Sequence, residues 1–147
     1  MARVSFCGLG VMGYPMAGHL AAKGHDVVVY NRNAAKSAAW AAEHGGGTAA
    51  TPRAAAEGAE VVFMCVGNDD DVRQVALGAD GILSGLAAGS LLVDHTTASA
   101  DVARELDQAC RAHGVGFVDA PVSGGQAGAV NGVLTVMCGG AAADFDR

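Results

Sequence analysis

Short apolar runs of four to six residues alternate along this chain with longer stretches in which apolar positions recur at helical spacing. That alternation predicts a parallel sheet whose strands are joined by crossover helices. Arg3–Cys7 reads as the first strand, followed by a glycine-rich turn and a helix over Val11–Lys23. Gly24 stops that helix, because a residue without Cβ can take the left-handed cap. Asp26–Tyr30 is the second strand and Ala34–His44 the second helix, stopped by Gly45-Gly46-Gly47. Thr51 as cap and Pro52 at the first helical position open a short helix to Glu57. Val61–Val66 reads as a buried strand, and Asp70–Leu77 as a helix with acidic residues at its positive end. Leu91–Asp94 is another strand. Ser99 then caps a helix to His113, closed by Gly114, and Gly116–Asp119 and Val133–Cys138 predict two more strands joined by a Gly-rich connection. No internal repeat or low-complexity linker interrupts the pattern. The expectation is one α/β domain over residues 1–147, doubly wound, with a mostly parallel sheet and helices on both faces.

Composition narrows the function. Half the residues (51%) are hydrophobic, yet no apolar run approaches the roughly 18 residues of a membrane span. The longest, Val61 to Gly67, has the length of a buried strand. The N-terminus enters a strand pattern directly, without the charged start and apolar centre of a signal peptide, so a cytoplasmic location is expected. A net charge of −6 and the absence of any Lys/Arg cluster speak against a nucleic-acid partner. Cys7, Cys65, Cys110 and Cys138 form no CxxC pair, and three of them sit in apolar strand-like runs. They read as small hydrophobes rather than as a metal or disulfide framework.

The chemistry concentrates in Gly8-Leu9-Gly10-Val11-Met12-Gly13, a GxGxxG that follows a strand and opens a helix. In a βαβ unit this is the Rossmann dinucleotide fingerprint. Gly8 permits the tight turn, Gly10 lets backbone approach a pyrophosphate, and Gly13 lets the helix pack on the sheet. The pyrophosphate then rests on the unpaired N–H groups at the helix N-terminus. An acidic residue at the end of the second strand would bind the adenosine ribose hydroxyls and favour NAD. Asn31 and Arg32 stand there instead, with Lys36 a helical turn on. A guanidinium matches phosphate oxygens with a fork of donors, which points to NADP, with NAD also accommodated. Against these readings stand a glycine turn without a ligand, and a solvated helix face carrying Arg32 and Lys36.

With those residues in view the chain resembles the β-hydroxyacid dehydrogenase family, which includes hydroxyisobutyrate dehydrogenases, tartronate and succinic semialdehyde reductases and phosphogluconate dehydrogenase. The resemblance rests on GLGVMGYPMAGHL from Gly8, VDHTTASA from Val93 and DAPVSGGQAGAVNGVLTVMCGG from Asp119, in family order. It implies a nicotinamide-dependent oxidoreductase acting on a small β-hydroxy acid or its semialdehyde, homo-oligomeric when complete. It also implies that Val66 and Gly67 line the cofactor through their backbone, that Asp71 is a further cofactor contact, and that Thr97 lies beside the nicotinamide ribose. Ser123, Gly124 and Gly125 are implied to hold the substrate's carboxylate or hydroxyl, a role that fits consecutive backbone amides beside a glycine pair.

The chain departs from the family at His19, Gly67, His95 and Thr96, none of them in the phosphate turn. The family's acid–base lysine belongs to a helical region after the dinucleotide domain. Here only Lys23 and Lys36 occur, one ending the first helix and the other at the adenosine end. No catalytic residue is therefore assigned within these 147 residues, and the helical substrate domain is expected to lie outside them. An imine-reductase-like enzyme and a stand-alone nucleotide sensor are the competing readings.

Overall fold

The computed structural model describes residues 3–10, 13–96 and 99–119, and the strand residues 122–123, 135–136 and 139–140. Six parallel strands form the sheet: β1 (Arg3–Cys7), β2 (Asp26–Tyr30), β3 (Gly47–Thr48), β4 (Val61–Met64), β5 (Leu91–Asp94) and β6 (Gly116–Asp119). The helices between them are α1 (Gly13–Ala22), α2 (Ala34–His44), α3 (Pro52–Ala56), α4 (Asp69–Leu77), α5 (Ile82–Gly85) and α6 (Ala100–Ala112). Two short strands, β7 (Val122–Ser123) and β8 (Thr135–Val136), make an antiparallel ribbon, and β9 (Gly139–Gly140) closes the main sheet antiparallel to β6. The spatial order is β3-β2-β1-β4-β5-β6-β9. The direction of winding thus reverses between β1 and β4, as in a Rossmann sheet.

Strand alternation sends neighbouring side chains to opposite faces. Val4, Phe6, Val27 and Val29 meet α1 and α2 on one face, around the fully buried Trp40. Cys7, Val62, Met64, Leu92 and Phe117 meet α3 to α6 on the other. Ser5 also points to this second face, where its buried hydroxyl donates to the Ala55 carbonyl of α3. Local chemistry agrees with the packing at the helix ends. The side chains of Asn33, Thr51, Asn68 and Ser99 each accept an N–H at the start of α2, α3, α4 and α6. Gly24, Gly45 and Gly114 take the left-handed conformation after α1, α2 and α6.

The structure departs from the sequence reading at a few places. The chain after Trp40 does more than stop a helix: Gly47–Thr48 pairs with β2 as an edge strand. Gly46 sits against the Trp40 indole so tightly that an added methyl would lie 2.7 Å from Trp40 Cη2 and 2.6 Å from the Val27 carbonyl oxygen. Helix α5 was not expected, and it lacks a side-chain cap. The strand expected over Val133–Cys138 contributes Thr135–Val136 to the β7–β8 ribbon, not to the main sheet, whose last strand is β9.

Overpacking a site of this kind costs about 1–3 kcal/mol. Gly46→Ala is therefore expected to lower unfolding stability by about 2 kcal/mol. Urea titration followed by the fluorescence of Trp40, the sole tryptophan, measures it. An unchanged midpoint would contradict the packing described.

Candidate functional site

A cleft of about 990 Å³ opens where the winding reverses, along the C-terminal ends of β1, β2 and β4. Open α/β sheets place their ligands at this switch point, and the volume suits a cofactor-sized molecule. Gly8, Gly10 and Gly13 form its floor.

The three glycines answer to different constraints. Gly8 has φ +102°, and a Cβ there would overlap the Cys65 carbonyl oxygen at the end of β4. At Gly13 a Cβ would overlap the Gly8 carbonyl oxygen and lie 3.0 Å from the Phe6 ring. Both are demands of the fold. Among the described residues, a Cβ at Gly10 would meet no atom within 4 Å beyond its chain neighbours. That glycine leaves the N-terminus of α1 accessible, the place where a Rossmann turn receives an anion.

The turn is braced from β2. The Asn31 side-chain oxygen accepts the Leu9 N–H at 3.0 Å, and Lys36 Nζ donates to the Leu9 carbonyl at 3.3 Å. Gly8 N–H donates to the Tyr30 carbonyl at 2.9 Å. Leu9 itself is set apart from the expectation for the turn. Its side chain is buried in the core, its N–H is taken by Asn31, and it does not line the cleft.

Asn31, Arg32, Lys36, Val66, Gly67 and Asp71 all line the cleft with Gly8, Gly10 and Gly13. Arg32 is well exposed and pairs with Asp71 at 2.7 Å. Val66 presents its backbone with the N–H already donated to Thr96 Oγ1 at 2.9 Å. Val11, Met12, Thr97, Gly124 and Gly125 fall outside the described residues. Ser123 lies in β7, opposite Thr135. Several lining residues escaped the sequence reading, among them Tyr30, Thr51 and Gln74. Tyr30 could have been found as the last residue of the strand that leads into Asn31.

Beyond the glycine turn, the strand ends are cross-tied by polar groups. Asp94 closes β5 beside Asp119, its register partner in β6. Asp94 Oδ1 accepts the Thr96 N–H at 2.9 Å, and the His95 N–H donates to the Met64 carbonyl at 2.7 Å. The His95 ring stacks on Phe63 with centroids 5.8 Å apart, a packing role. Burial pushes the Asp94 carboxyl up to about 6, against the pull of the Thr96 hydrogen bonds and with a contribution from Asp119. Burial also raises Asp119, and burial together with Asp94 pushes the Cys65 thiol up to about 11. Cys7 is raised to about 12 by burial alone. Cys7 and Cys65 are free thiols. Among the described residues no cluster of His, Cys, Asp or Glu is placed to hold a metal ion, and no helix is long and apolar enough to cross a membrane.

Residues 3–147 match the family described as the NAD binding domain of 6-phosphogluconate dehydrogenase. The chain belongs to that family. It is 62% identical over 146 residues to an uncharacterized oxidoreductase of Shewanella frigidimarina, covering 99% of this chain and 50% of that protein. With the 3-hydroxyisobutyrate dehydrogenase of Pseudomonas aeruginosa it shares 39% identity over 147 residues, 100% of this chain and 49% of the relative. The fold superposes on Mycobacterium tuberculosis 3-hydroxyisobutyrate dehydrogenase with a TM-score of 0.91 at 33% identity, covering 100% of this chain and 49% of that one. An imine reductase from Myxococcus stipitatus in complex with NAD+ is also similar, with a TM-score of 0.88, 25% identity and coverage of 99% and 49%. The chain spans about half the length of these relatives. The family and the fold stated on the glycine turn and strand pattern are thus those the comparisons show.

The raised Asp94 makes a pH signature. Its value in the folded chain stands above the ordinary 3.8, so the unfolded chain gives up its proton first. Stability falls as pH rises from about 4 to about 6 and then levels off, by up to about 3 kcal/mol from this group. Asp94→Asn keeps an acceptor for Thr96 and removes the charge. Urea midpoints at pH 4.5 and 7 are expected to shift in favour of the variant at the higher pH. A shift in favour of the unaltered protein would contradict the assignment.

Proposed function

We propose that this chain binds NADP in preference to NAD, as the cofactor domain of an oxidoreductase acting on a small β-hydroxy acid or its semialdehyde. One observation carries the cofactor reading: the residue after β2 is Asn31, not an acid, and the exposed guanidinium of Arg32 stands on the cleft wall beside it. A phosphate on the adenosine ribose is the group that such a fork of donors matches. Asn31 contributes indirectly, by fixing the Leu9 peptide of the glycine turn. Lys36 adds a second positive charge while bracing the same peptide. The open space over Gly10 and the N-terminus of α1 suit the pyrophosphate.

When bound, the cofactor supplies hydride chemistry, and the domain supplies binding and orientation. The remaining parts come from the family resemblance. Ser123, Gly124 and Gly125 hold the substrate's oxygens, and Thr97 lies near the nicotinamide ribose. Lys23 follows the end of α1 and Lys36 is engaged with Leu9, so neither serves as acid–base. On this reading the proton donor belongs to a helical region beyond residue 147, where the subunits of the complete enzyme also associate. Loss of a positioned acid–base typically costs 10²–10⁴ in rate.

Two substitutions test the cofactor site. Gly10→Val is expected to leave the circular dichroism spectrum intact while abolishing NADPH binding, because its side chain enters space left open by the described residues. Retained binding would place the cofactor elsewhere. Separately, titration with NADPH and NADH is expected to show tighter NADPH binding, with a preference that collapses in Arg32→Ala. Equal affinities in the unaltered protein would overturn the NADP reading.

A further inference from the structure

The guanidinium proposed to read the phosphate already has an anionic partner. Arg32 leaves the end of β2, whereas Asp71 sits in the first turn of α4, 39 residues later, and Arg32 Nη2 and Asp71 Oδ1 are 2.7 Å apart. Both line the cleft, so the pair spans its adenosine end from one wall to the other. Two further features hold the carboxylate there. The Asp71 N–H donates to Asn68 Oδ1 at 2.9 Å, which fixes the residue in the capping turn. Gly67 leaves room for the side chain: a Cβ at that position would lie 2.8 Å from Asp71 Oδ2. Asp71 is the more sheltered member, with a quarter of its side chain exposed against 72% for Arg32.

We infer that Asp71, bridged to Arg32 across the cleft and seated over Gly67, sets the cofactor selectivity of this site by opposing the 2′-phosphate and accepting a ribose hydroxyl. The inference rests on the NADP reading above. A phosphate that approaches Arg32 must share or displace the carboxylate at Nη2, and it brings like charge to within a few ångströms of it. In NAD a neutral hydroxyl takes that place, and it can donate to Asp71 while Arg32 keeps its partner. The carboxylate therefore narrows the gap between the two cofactors, and the site serves both. Lys36, held 3.3 Å from the Leu9 carbonyl and lining the same cleft, gives the phosphate a second cation. The remaining preference is for NADP.

The test is a double-mutant cycle on the intact protein. Dissociation constants for NADP and NAD are measured by calorimetry for the unaltered protein, Asp71→Asn, Arg32→Ala and the double variant. Asp71→Asn keeps the backbone N–H that bonds Asn68. It is expected to raise the NADP-to-NAD preference about five- to tenfold at low salt, the size of a partly screened like-charge contact. In the Arg32→Ala background, where nothing neutralises the carboxylate, the same change is expected to raise the preference at least as much; an effect that vanishes there would overturn the inference. Gly67→Ala, which keeps the charge but pushes the carboxylate off the guanidinium, is expected to raise the preference in the same direction and decides the matter if Asp71→Asn does not fold. An Asp71→Asn preference within twofold of the unaltered one, or a lower one, would overturn the inference. That would mean the carboxylate only holds Arg32 in place. Failure of the NADP reading shows separately, as an Arg32→Ala variant whose preference equals that of the unaltered protein, and the inference falls with it.

Discussion

Everything at the cleft depends on how closely three backbone segments approach at Gly8. The end of β1, the end of β4 and the start of α1 meet there, with no room for a Cβ at Gly8 or at Gly13. Close packing of this kind makes the turn rigid. Its N–H and carbonyl groups are then held by Tyr30, Asn31 and Lys36 from the neighbouring strand and helix. A helix N-terminus binds an anion well only if the approach to it is open and its position is fixed. Gly10 provides the opening and the crossing at Gly8 fixes the position.

The same sheet carries charge of both signs at its strand ends. Arg32 and Lys36 line the cleft where β2 leads into α2, and Asp94 and Asp119 lie at the ends of β5 and β6. Asp94 is buried and Asp119 partly buried, and burial raises both carboxyls. At the β2 end the Arg32 guanidinium already has Asp71 within hydrogen-bond distance.

Much of this was legible in the sequence, for physical reasons that differ by element. Arg3–Cys7, Asp26–Tyr30 and Ala34–His44 were read with the boundaries they have, because apolar periodicity and capping residues both mark them. Gly47–Thr48 and Ile82–Gly85 were not, since two residues have no period and a one-turn helix without a side-chain cap carries no signal. At the site, the glycine turn follows from spacing alone, and the chemistry of Asn31-Arg32 from residue type. What spacing could not supply was pairing between distant residues. The reach of Asp71 across 39 positions to Arg32, the bond from Asn31 to Leu9, and the burial that raises Asp94 exist only once the chain has folded.

The central claim is that a dinucleotide sits over Gly10 with its adenosine end against Arg32. The most direct measurement is an amide-resolved NMR titration of the protein with NADP. The largest shifts are expected at Gly10, Gly13 and Tyr14 and across Asn31 to Lys36, including the Arg32 side-chain Nε–H, with little change around Gly114 at the far end of α6. Shifts concentrated away from the glycine turn, or an unmoved Arg32 at saturation, would contradict the account.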